Sequence, residues 1–190
     1  MSIETRPLTP DRWPDFETLM GPKGGAEGCW CMVWRLPAAT YREGKGEGNR
    51  QAIHARVRDG VRPPGLIAYR DGAPVGWVSI APRAEFPRME KSRIVAPLDD
   101  RPVWSVTCFF IKPGNRGKGV ATALLKAACD FAARHGAEVV ESYPIDPLGA
   151  RYANAFAWTG LKRVFDSAGF TEVARRSQKR PVMRKELPRG

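Results

Sequence analysis

Long apolar runs are missing from this sequence of 190 residues. No stretch approaches the roughly 18 consecutive apolar residues of a membrane-spanning helix, which argues against a helical transmembrane protein. The N-terminal residues include an early acid and no apolar core, so they do not resemble a signal peptide. We therefore expect a cytoplasmic protein without a membrane partner.

Histidine and cysteine are also scarce, with two histidines and four cysteines in the chain. Cys29 and Cys31 lack the second pair of Cys or His residues that a structural zinc site requires. We expect no metal ion in the protein. In a cytoplasmic setting the cysteines are expected to be reduced thiols.

Acidic residues are the minority among the charged ones. The chain has 20 Asp and Glu against 31 Lys and Arg, for a formal net charge of +11. The basic residues are spread out without a run of five or more, which is not the pattern of a nucleic-acid-binding arm. The excess charge leaves four interpretations: a phosphorylated small molecule, a nucleic acid or an anionic membrane as partner, or a solubilising surface. Nucleic acid is disfavoured, because the aromatic residues fall in segments with core periodicity.

Internal repeats and low-complexity tracts are absent, and a hydrophobic content of 43% suits one globular domain over residues 1–190. The apolar periodicity predicts helices over residues 9–20, 49–59, 119–135 and 161–168. Strands are predicted over residues 66–69, 74–80, 103–111, 139–143, 170–176 and 181–187. Together these helices and strands predict an α+β fold in which an antiparallel meander leads into a strand–helix–strand unit.

Three shorter segments have local patterns of their own. Asp71-Gly72, between the first two predicted strands, is a strong hairpin signal. Residues 29–34, rich in Cys, Met and Trp, predict a short strand or a buried connector. Residues 41–49 are polar and Gly-rich, which predicts a mobile loop.

The most informative segment is a Gly-rich turn between the strand at 103–111 and the helix that follows it. The turn offers Arg116, Gly117, Lys118 and Gly119 directly before the helix. The first amides of a helix lack intrahelical acceptors, and the helix dipole favours negative charge at that end. Glycines let the backbone approach an anion closely, so the segment favours anion binding. It is neither a Walker loop nor a dinucleotide-binding fingerprint.

This segment resembles the acyl-CoA-binding motif of the GNAT acetyltransferase superfamily. That motif has Gln or Arg, then Gly, then Gly or Ala, after a strand ending in an apolar residue, any residue and Pro. The matching positions here are Arg116, Gly119 and Ala121, after Ile111-Lys112-Pro113. The resemblance implies the GNAT fold, a mixed central sheet flanked by helices, with an antiparallel meander and a splayed parallel pair at the acyl-CoA site.

The resemblance also divides the chain and assigns it a reaction. Residues 65–187 would be the family's core and residues 1–64 its variable substrate-side cap. The implied reaction moves an acetyl group from acetyl-CoA to a primary amine of a small molecule or peptide, by direct attack of the amine. The identity of the amine, the use of a longer acyl group and association into a homodimer stay open.

In the family, backbone amides of the motif strand hold the pantetheine arm of the cosubstrate, and the loop holds its pyrophosphate. Carried over to this sequence, the residues expected to bind acetyl-CoA are Phe109, Phe110, Ile111, Arg116, Gly117, Lys118, Gly119, Val120, Ala121 and Thr122.

The sequence departs from the family at the position of its usual general acid. The family's frequent Tyr is Phe165 here, and its frequent Asn is Trp158. Phenylalanine cannot donate a proton, so a different acid, a water molecule or no dedicated acid must serve, and Tyr143, Tyr152 and Ser167 are the candidate substitutes. This departure motivates an alternative function, a catalytically weak acyl-CoA-binding or sensor protein.

Glu141 is the candidate general base. It lies two residues before Tyr143 on a predicted strand, so the two side chains share a face. If that face lines the splayed gap, Glu141 could accept the proton of the amine, directly or through water. The alternative is that Glu141 pairs with a surface arginine. Cys108 is expected to be a buried structural thiol rather than a nucleophile.

Overall fold

A mixed sheet forms the centre of the structure, a computed structural model that describes residues 2–149 and 158–188. Within those residues the sheet has seven strands in the order β1-β2-β3-β4-β5-β7-β6. They are β1 Ile3–Pro7, β2 Gly65–Arg70, β3 Ala73–Pro82, β4 Trp104–Ile111, β5 Val139–Ser142, β6 Thr171–Ser177 and β7 Arg180–Glu186. The β4–β5 pair is parallel and the other pairs are antiparallel.

The helices lie between the strands in the chain. They are α1 Trp13–Met20, α2 Ala38–Glu43, α3 Glu47–Asp59, α4 Pro87–Glu90, α5 Val120–Arg134 and α6 Lys162–Ser167. Short 3-10 helices at Pro10–Arg12 and Arg83–Glu85 precede α1 and α4. No helix in the described part of the chain is long and apolar enough to cross a membrane.

The β2–β3 hairpin forms where Asp71-Gly72 predicts it. Both turn residues have positive φ, 50° at Asp71 and 76° at Gly72. A two-residue hairpin turn with two positive φ values has the twist that the flanking strands need, which explains why this pair of residues is such a reliable predictor.

Hydrophobic clusters cover both faces of the sheet. On one face α5 packs through residues such as Leu124 and Ala128 against β3 and β4. On the other face Trp13 and Phe16 of α1 pack against Trp77. A Cβ atom at Gly76 would lie 2.7 Å from Cγ1 of Val120, so glycine at this position is what lets α5 approach the sheet closely.

The N-terminal region is more regular than the sequence predicts. The segment 41–49 is not a mobile loop: it holds the end of α2 and the start of α3. The buried Asn49 side chain orders it, because its amide nitrogen donates hydrogen bonds to the carbonyls of Gly28 at 3.0 Å and Tyr41 at 3.2 Å. Strand β1 was not predicted, and it joins the edge of the sheet beside β2.

The apolar segment 29–34 is a buried connector, which confirms one of the two alternatives and excludes the strand. Trp30, Cys31 and Met32 are buried, and the backbone of Trp30 and Cys31 has positive φ. Such φ values are incompatible with a strand, so the apolar composition here serves the core under α1 and not a ladder of hydrogen bonds.

Candidate active site

The site begins with an extra residue in β4. Ser79 of β3 lies opposite Cys108, but Ile80 lies opposite Val106, so Thr107 has no partner of its own and forms a β-bulge. The hydroxyl of Thr107 donates a hydrogen bond to Oγ of Ser79 at 3.3 Å. The bulge reorients the last residues of β4 relative to its neighbours.

Strands β4 and β5 part just after this bulge. They pair only from Trp104–Val106 with Val140–Ser142, and β5 ends at Ser142. The end of β4, up to Ile111, therefore has no β5 partner. This is the splayed parallel pair that the family resemblance implies.

The backbone of β4 alternates between the open gap and β3. The Phe109 amide points into the gap, where it donates a hydrogen bond to the carbonyl of Trp158 at 2.5 Å, whereas the Lys112 amide donates to Val75 of β3. Because successive residues of a strand face opposite ways, Phe109 and Ile111 direct their amides into the gap and Phe110 directs its amide towards β3. The expectation of three gap-facing amides is corrected to two, and Phe110 contributes its ring.

The gap opens into a cleft of about 470 Å³. Nine of the ten residues expected to bind acetyl-CoA line it, and Lys118 is the exception. The other residues that line the cleft were not predicted from the sequence. They include Gly25 and Ala26 of the loop after α1, and Trp158, Leu161 and Arg163 around the start of α6.

Helix α5 presents its N-terminus to this cleft. Gly119 precedes the helix with a φ of 79°, and no side chain caps the helix there. A Cβ atom at Gly119 or Gly117 would meet nothing within 4 Å, so both positions face open space. The first amides of α5 are therefore available to an anion, at the end of the helix that the dipole makes positive.

Basic side chains surround this helix end. Arg116 and Arg163 line the cleft and are exposed. Arg70 holds the loop in place, because its guanidinium donates to Oδ1 of Asn115 at 2.9 Å and to the carbonyl of Lys118 at 3.1 Å. The cleft thus joins the end of β4, which has no β5 partner, to a positively charged anion site.

A scan against protein families matches residues 30–150 to the model of the acetyltransferase (GNAT) family, which is more than half of the chain. This protein belongs to the GNAT acetyltransferase family. It is accordingly an acyltransferase, and the GNAT fold that the sequence resemblance implies is confirmed. No curated protein matches the chain.

Solved structures share this GNAT fold at low sequence identity. One is the PaiA N-acetyltransferase of Thermoplasma acidophilum in complex with coenzyme A, with a TM-score of 0.56, 14% identity, and coverage of 98% of this chain and 100% of that one. Another is the histone acetyltransferase HPA2 and related acetyltransferase of Corynebacterium glutamicum, with a TM-score of 0.57, 17% identity, and coverage of 99% and 98%. At such identities the likeness shows the fold alone.

In this GNAT chain Glu141 is bound by arginines on both carboxylate oxygens. Oε1 accepts a hydrogen bond from Arg83 at 3.0 Å, and Oε2 accepts one from Arg184 at 2.7 Å. Glu141 is 1% exposed and pairs with Ser105, four residues before Phe109, which places it about 13 Å along the strand from that amide. The geometry favours the alternative of an arginine partner, with the arginines themselves largely buried, and the role of general base stays a prediction.

Tyr143 belongs to the same buried group. Its hydroxyl donates to Oε1 of Glu141, and neither residue lines the cleft. Burial, and then the charge of Glu141, raise the pKa of Tyr143 well above its usual value. Tyr143 therefore holds its proton firmly, and its role as the acid stays a prediction.

Of the remaining candidates for the acid, Ser167 is not in the cleft lining. Ser167 is exposed on α6 and donates to the carbonyl of Arg163 at 2.8 Å. Tyr152 lies outside the described residues. Phe165, at the family's tyrosine position, is fully buried, with its ring centroid 6.0 Å from that of Phe109 and 5.2 Å from that of Phe170. The usual tyrosine position is here part of the core.

The buried thiols fit a structural role. Sγ of Cys31 and Sγ of Cys108 are 3.0 Å apart, and both residues are buried. The hydrogen bond with Cys108, together with burial, raises the pKa of Cys31 well above its usual value, so this thiol stays protonated and unreactive. In the described part of the chain, no group of three or more His, Cys, Asp or Glu side chains could hold a metal ion.

Proposed function

We propose that this protein transfers the acetyl group of acetyl-CoA to a primary amine of a small molecule or peptide by direct attack of the amine. The observation that carries the proposal is the continuity of the splayed β4–β5 gap with the N-terminus of α5 in one cleft. A strand edge and an anion site in this arrangement suit the two halves of coenzyme A, its amide-containing pantetheine arm and its pyrophosphate.

The donor would lie along the cleft with its pantetheine arm beside the gap-facing backbone of Phe109 and Ile111. Its pyrophosphate would accept hydrogen bonds from the amides of residues 117–122, close to Arg116. Phe110 and Val120 would supply apolar wall, and Lys118 would add charge in the same loop. Support comes from the Thermoplasma relative of the same fold, which was solved in complex with coenzyme A.

The thioester would react at the end of this arm. The amine attacks the carbonyl carbon, and the developing oxyanion needs a hydrogen-bond donor aimed at it. The Phe109 amide is the donor best placed for that role. It is occupied by the carbonyl of Trp158 in this structure, so the thioester oxygen would have to take the place of that carbonyl.

Collapse of the intermediate breaks the carbon–sulfur bond and releases the CoA thiolate. The nitrogen of the new amide must lose one proton, and the thiolate must gain one. With the tyrosine position filled by the buried Phe165, we propose that solvent in the open cleft carries this proton from nitrogen to sulfur.

Two measurements test the proposal. Isothermal titration of the protein with acetyl-CoA should show binding, and release of CoA thiol should follow when a primary amine is added. Binding without thiol release over a broad panel of amines would favour the sensor alternative. Salt-sensitive binding of DNA or RNA that CoA does not affect would favour a nucleic-acid-associated protein. A cytoplasmic location and a homodimeric assembly stay predictions.

A further inference from the structure

Arg70 connects the end of β2 to the loop between β4 and α5. Its backbone is paired on both sides, with Ile3 of β1 and with Ala73 across the hairpin. Its guanidinium donates hydrogen bonds to Oδ1 of Asn115 and to the carbonyl of Lys118, which lie 45 and 48 residues further along the chain. Because two neighbouring strands hold its backbone, Arg70 is a fixed point from which the sheet contacts the loop.

The loop itself is rich in glycine where its backbone turns. Gly114, Gly117 and Gly119 have φ values of 85°, 72° and 79°. Glycine adopts positive and negative φ with nearly equal ease, so the peptide groups beside these residues can rotate at little steric cost. A contact from outside the loop can therefore decide which way a peptide group faces.

The bond to Lys118 decides this for the peptide group that joins Lys118 to Gly119. In a trans peptide the carbonyl and the N–H point in opposite directions, and the described residues contain no cis peptide bond. Since the carbonyl of Lys118 faces Arg70, the amide of Gly119 faces away from Arg70. Gly119 lines the cleft and Lys118 does not, which places that amide on the side of the cleft.

The bond to Asn115 orients a side-chain amide in the same sense. Arginine has donors and no acceptor, so it binds the oxygen of the carboxamide and leaves the NH2 group to other partners. Asn115 also lines the cleft, where an NH2 group can donate to a phosphate oxygen, whereas a carbonyl oxygen would repel it. Each contact of Arg70 thus occupies an acceptor of the loop and leaves the matching donor for an anion.

We propose that Arg70 is a positioning residue for the acyl donor, which holds the oxygens of Asn115 and Lys118 so that the paired N–H groups face the pyrophosphate before the donor arrives. The inference rests on the proposed binding of acetyl-CoA and adds a residue from outside the family motif. Arg70 does not line the cleft, so it acts through the loop and not by touching the donor. Donors that are oriented in advance raise affinity, because the ligand is spared the cost of ordering them.

The test compares Arg70→Lys with Arg6→Lys by isothermal titration with acetyl-CoA. Lysine keeps the charge of Arg70, but its ammonium lacks the planar fork that binds two oxygens at once. We expect Arg70→Lys to raise Kd by about tenfold or more, as for the loss of a charged hydrogen bond. Arg6 lies on the neighbouring strand β1 and bonds to Glu4, so Arg6→Lys is the matched control and should bind as the parent does. Parental affinity in Arg70→Lys would overturn the inference.

Steady-state constants separate positioning from a general loss of structure. Arg70→Lys should raise KM for acetyl-CoA and keep kcat at saturating acetyl-CoA within about twofold of the parent, because the reacting groups stay in place. A fall in kcat as large as the rise in KM would indicate a broader defect and overturn the positioning role. If the parent binds acetyl-CoA and Arg70→Lys binds equally well, the inference alone fails. If the parent does not bind acetyl-CoA, the proposed function fails and the inference with it.

A second variant keeps the test decisive if Arg70→Lys does not fold. Asn115→Ala removes one oxygen that Arg70 holds together with the NH2 group left for the anion. We expect it to raise Kd for acetyl-CoA by about threefold or more, with circular dichroism unchanged. Parental affinity in a folded Asn115→Ala protein would show that the orientation of this side chain does not matter to the donor, and would overturn the inference.

Discussion

The backbone amide of Phe109 donates a hydrogen bond of 2.5 Å to the carbonyl of Trp158, at the point where β4 has parted from β5. Trp158 stands where the family often has Asn, and it also lines the cleft. The amide best placed to stabilise the oxyanion is thus held by a carbonyl of the chain itself. Binding of the acyl donor and the position of Trp158 should therefore be coupled.

We predict that acetyl-CoA changes the tryptophan fluorescence of the protein because it displaces Trp158 from its contacts with Phe109 and Trp34. The Trp158→Phe variant should lose most of this change. Trp104→Phe is the matched control, because Trp104 packs against Phe131 on the other side of the sheet, and it should keep the change. An equal response in the two variants would contradict the coupling.

Replacing Phe165 by the tyrosine that the family often has at this position should not create a general acid. Phe165→Tyr would place a hydroxyl in a fully buried position, where the ring lies so close to Gly160 that a Cβ atom there would be 3.3 Å from Cζ of Phe165. We expect the free energy of unfolding to fall by about 1–3 kcal/mol, since the hydroxyl loses its water without a partner, and kcat not to rise. Urea denaturation and steady-state kinetics check the two parts. An increase in kcat with a new alkaline limb in its pH profile would show that the hydroxyl does reach the thiolate.

The prediction that Glu141 is the base can be separated from its structural role. Glu141→Gln removes the charge that Arg83 and Arg184 share, which should lower the free energy of unfolding by about 3 kcal/mol. The exposed Asp99 also pairs with Arg184, and Asp99→Asn should cost much less stability, because solvent screens an exposed ion pair.

The activity of the folded Glu141→Gln enzyme then decides whether Glu141 is also the general base. Measured well below its melting temperature, its kcat/KM should keep the pH profile of the parent, because the carboxylate lies outside the cleft lining. A selective loss of kcat with unchanged affinity for acetyl-CoA would instead establish Glu141 as the base.

The buried thiol of Cys129 gives the protein a pH-dependent stability at the alkaline end. Burial raises the pKa of Cys129 to about 11 from a usual value of 9.0. The folded state favours the protonated thiol, so this contribution is fully present below pH 9 and is lost as the pH rises towards 11. Its size, from a shift of about two pKa units, is about 2–3 kcal/mol.

Urea denaturation at pH 8 and pH 10.5 measures this effect. The Cys129→Ala variant should start from a lower free energy of unfolding but lose less of it between the two pH values than the parent does. Parallel losses in the two proteins would show that the thiol does not titrate differently in the folded and unfolded states.

Local patterns account for the part of the site that could be predicted. The hairpin turn at Asp71-Gly72, the turn before α5 and the glycine at 119 are dictated by short-range backbone geometry, which one sequence displays directly. The cleft-lining residues at the end of β4 and at the start of α5 follow from that motif. The family resemblance supplied the splay of β4 from β5, which local periodicity does not encode.

Long-range contacts account for what the sequence did not reveal. Gly25 and Trp158 line the cleft together with Phe110, although each is more than 40 residues away from it in the sequence. A Gly-rich loop carries no periodicity that shows where it packs. The arginine partners of Glu141 come from positions 58 residues before it and 43 residues after it. The number of charged residues in the sequence could not show whether Glu141 is buried between two arginines or is a base exposed to solvent.

The central claim is that coenzyme A binds at the N-terminus of α5, and a pair of glycine variants tests it most directly. Gly119 and Gly136 flank that helix with φ values of 79° and 80°, and a Cβ atom at either position meets nothing within 4 Å. Gly119→Glu and Gly136→Glu therefore carry similar backbone strain and the same charge, about 25 Å apart along the helix.

Isothermal titration with acetyl-CoA, on both variants and the parent protein, is the measurement. The account predicts that Gly119→Glu loses binding by at least about a hundredfold, because a carboxylate occupies the place of the pyrophosphate, whereas Gly136→Glu binds as the parent does. Folding of both variants is checked by circular dichroism. Parental affinity in a folded Gly119→Glu protein would contradict the account.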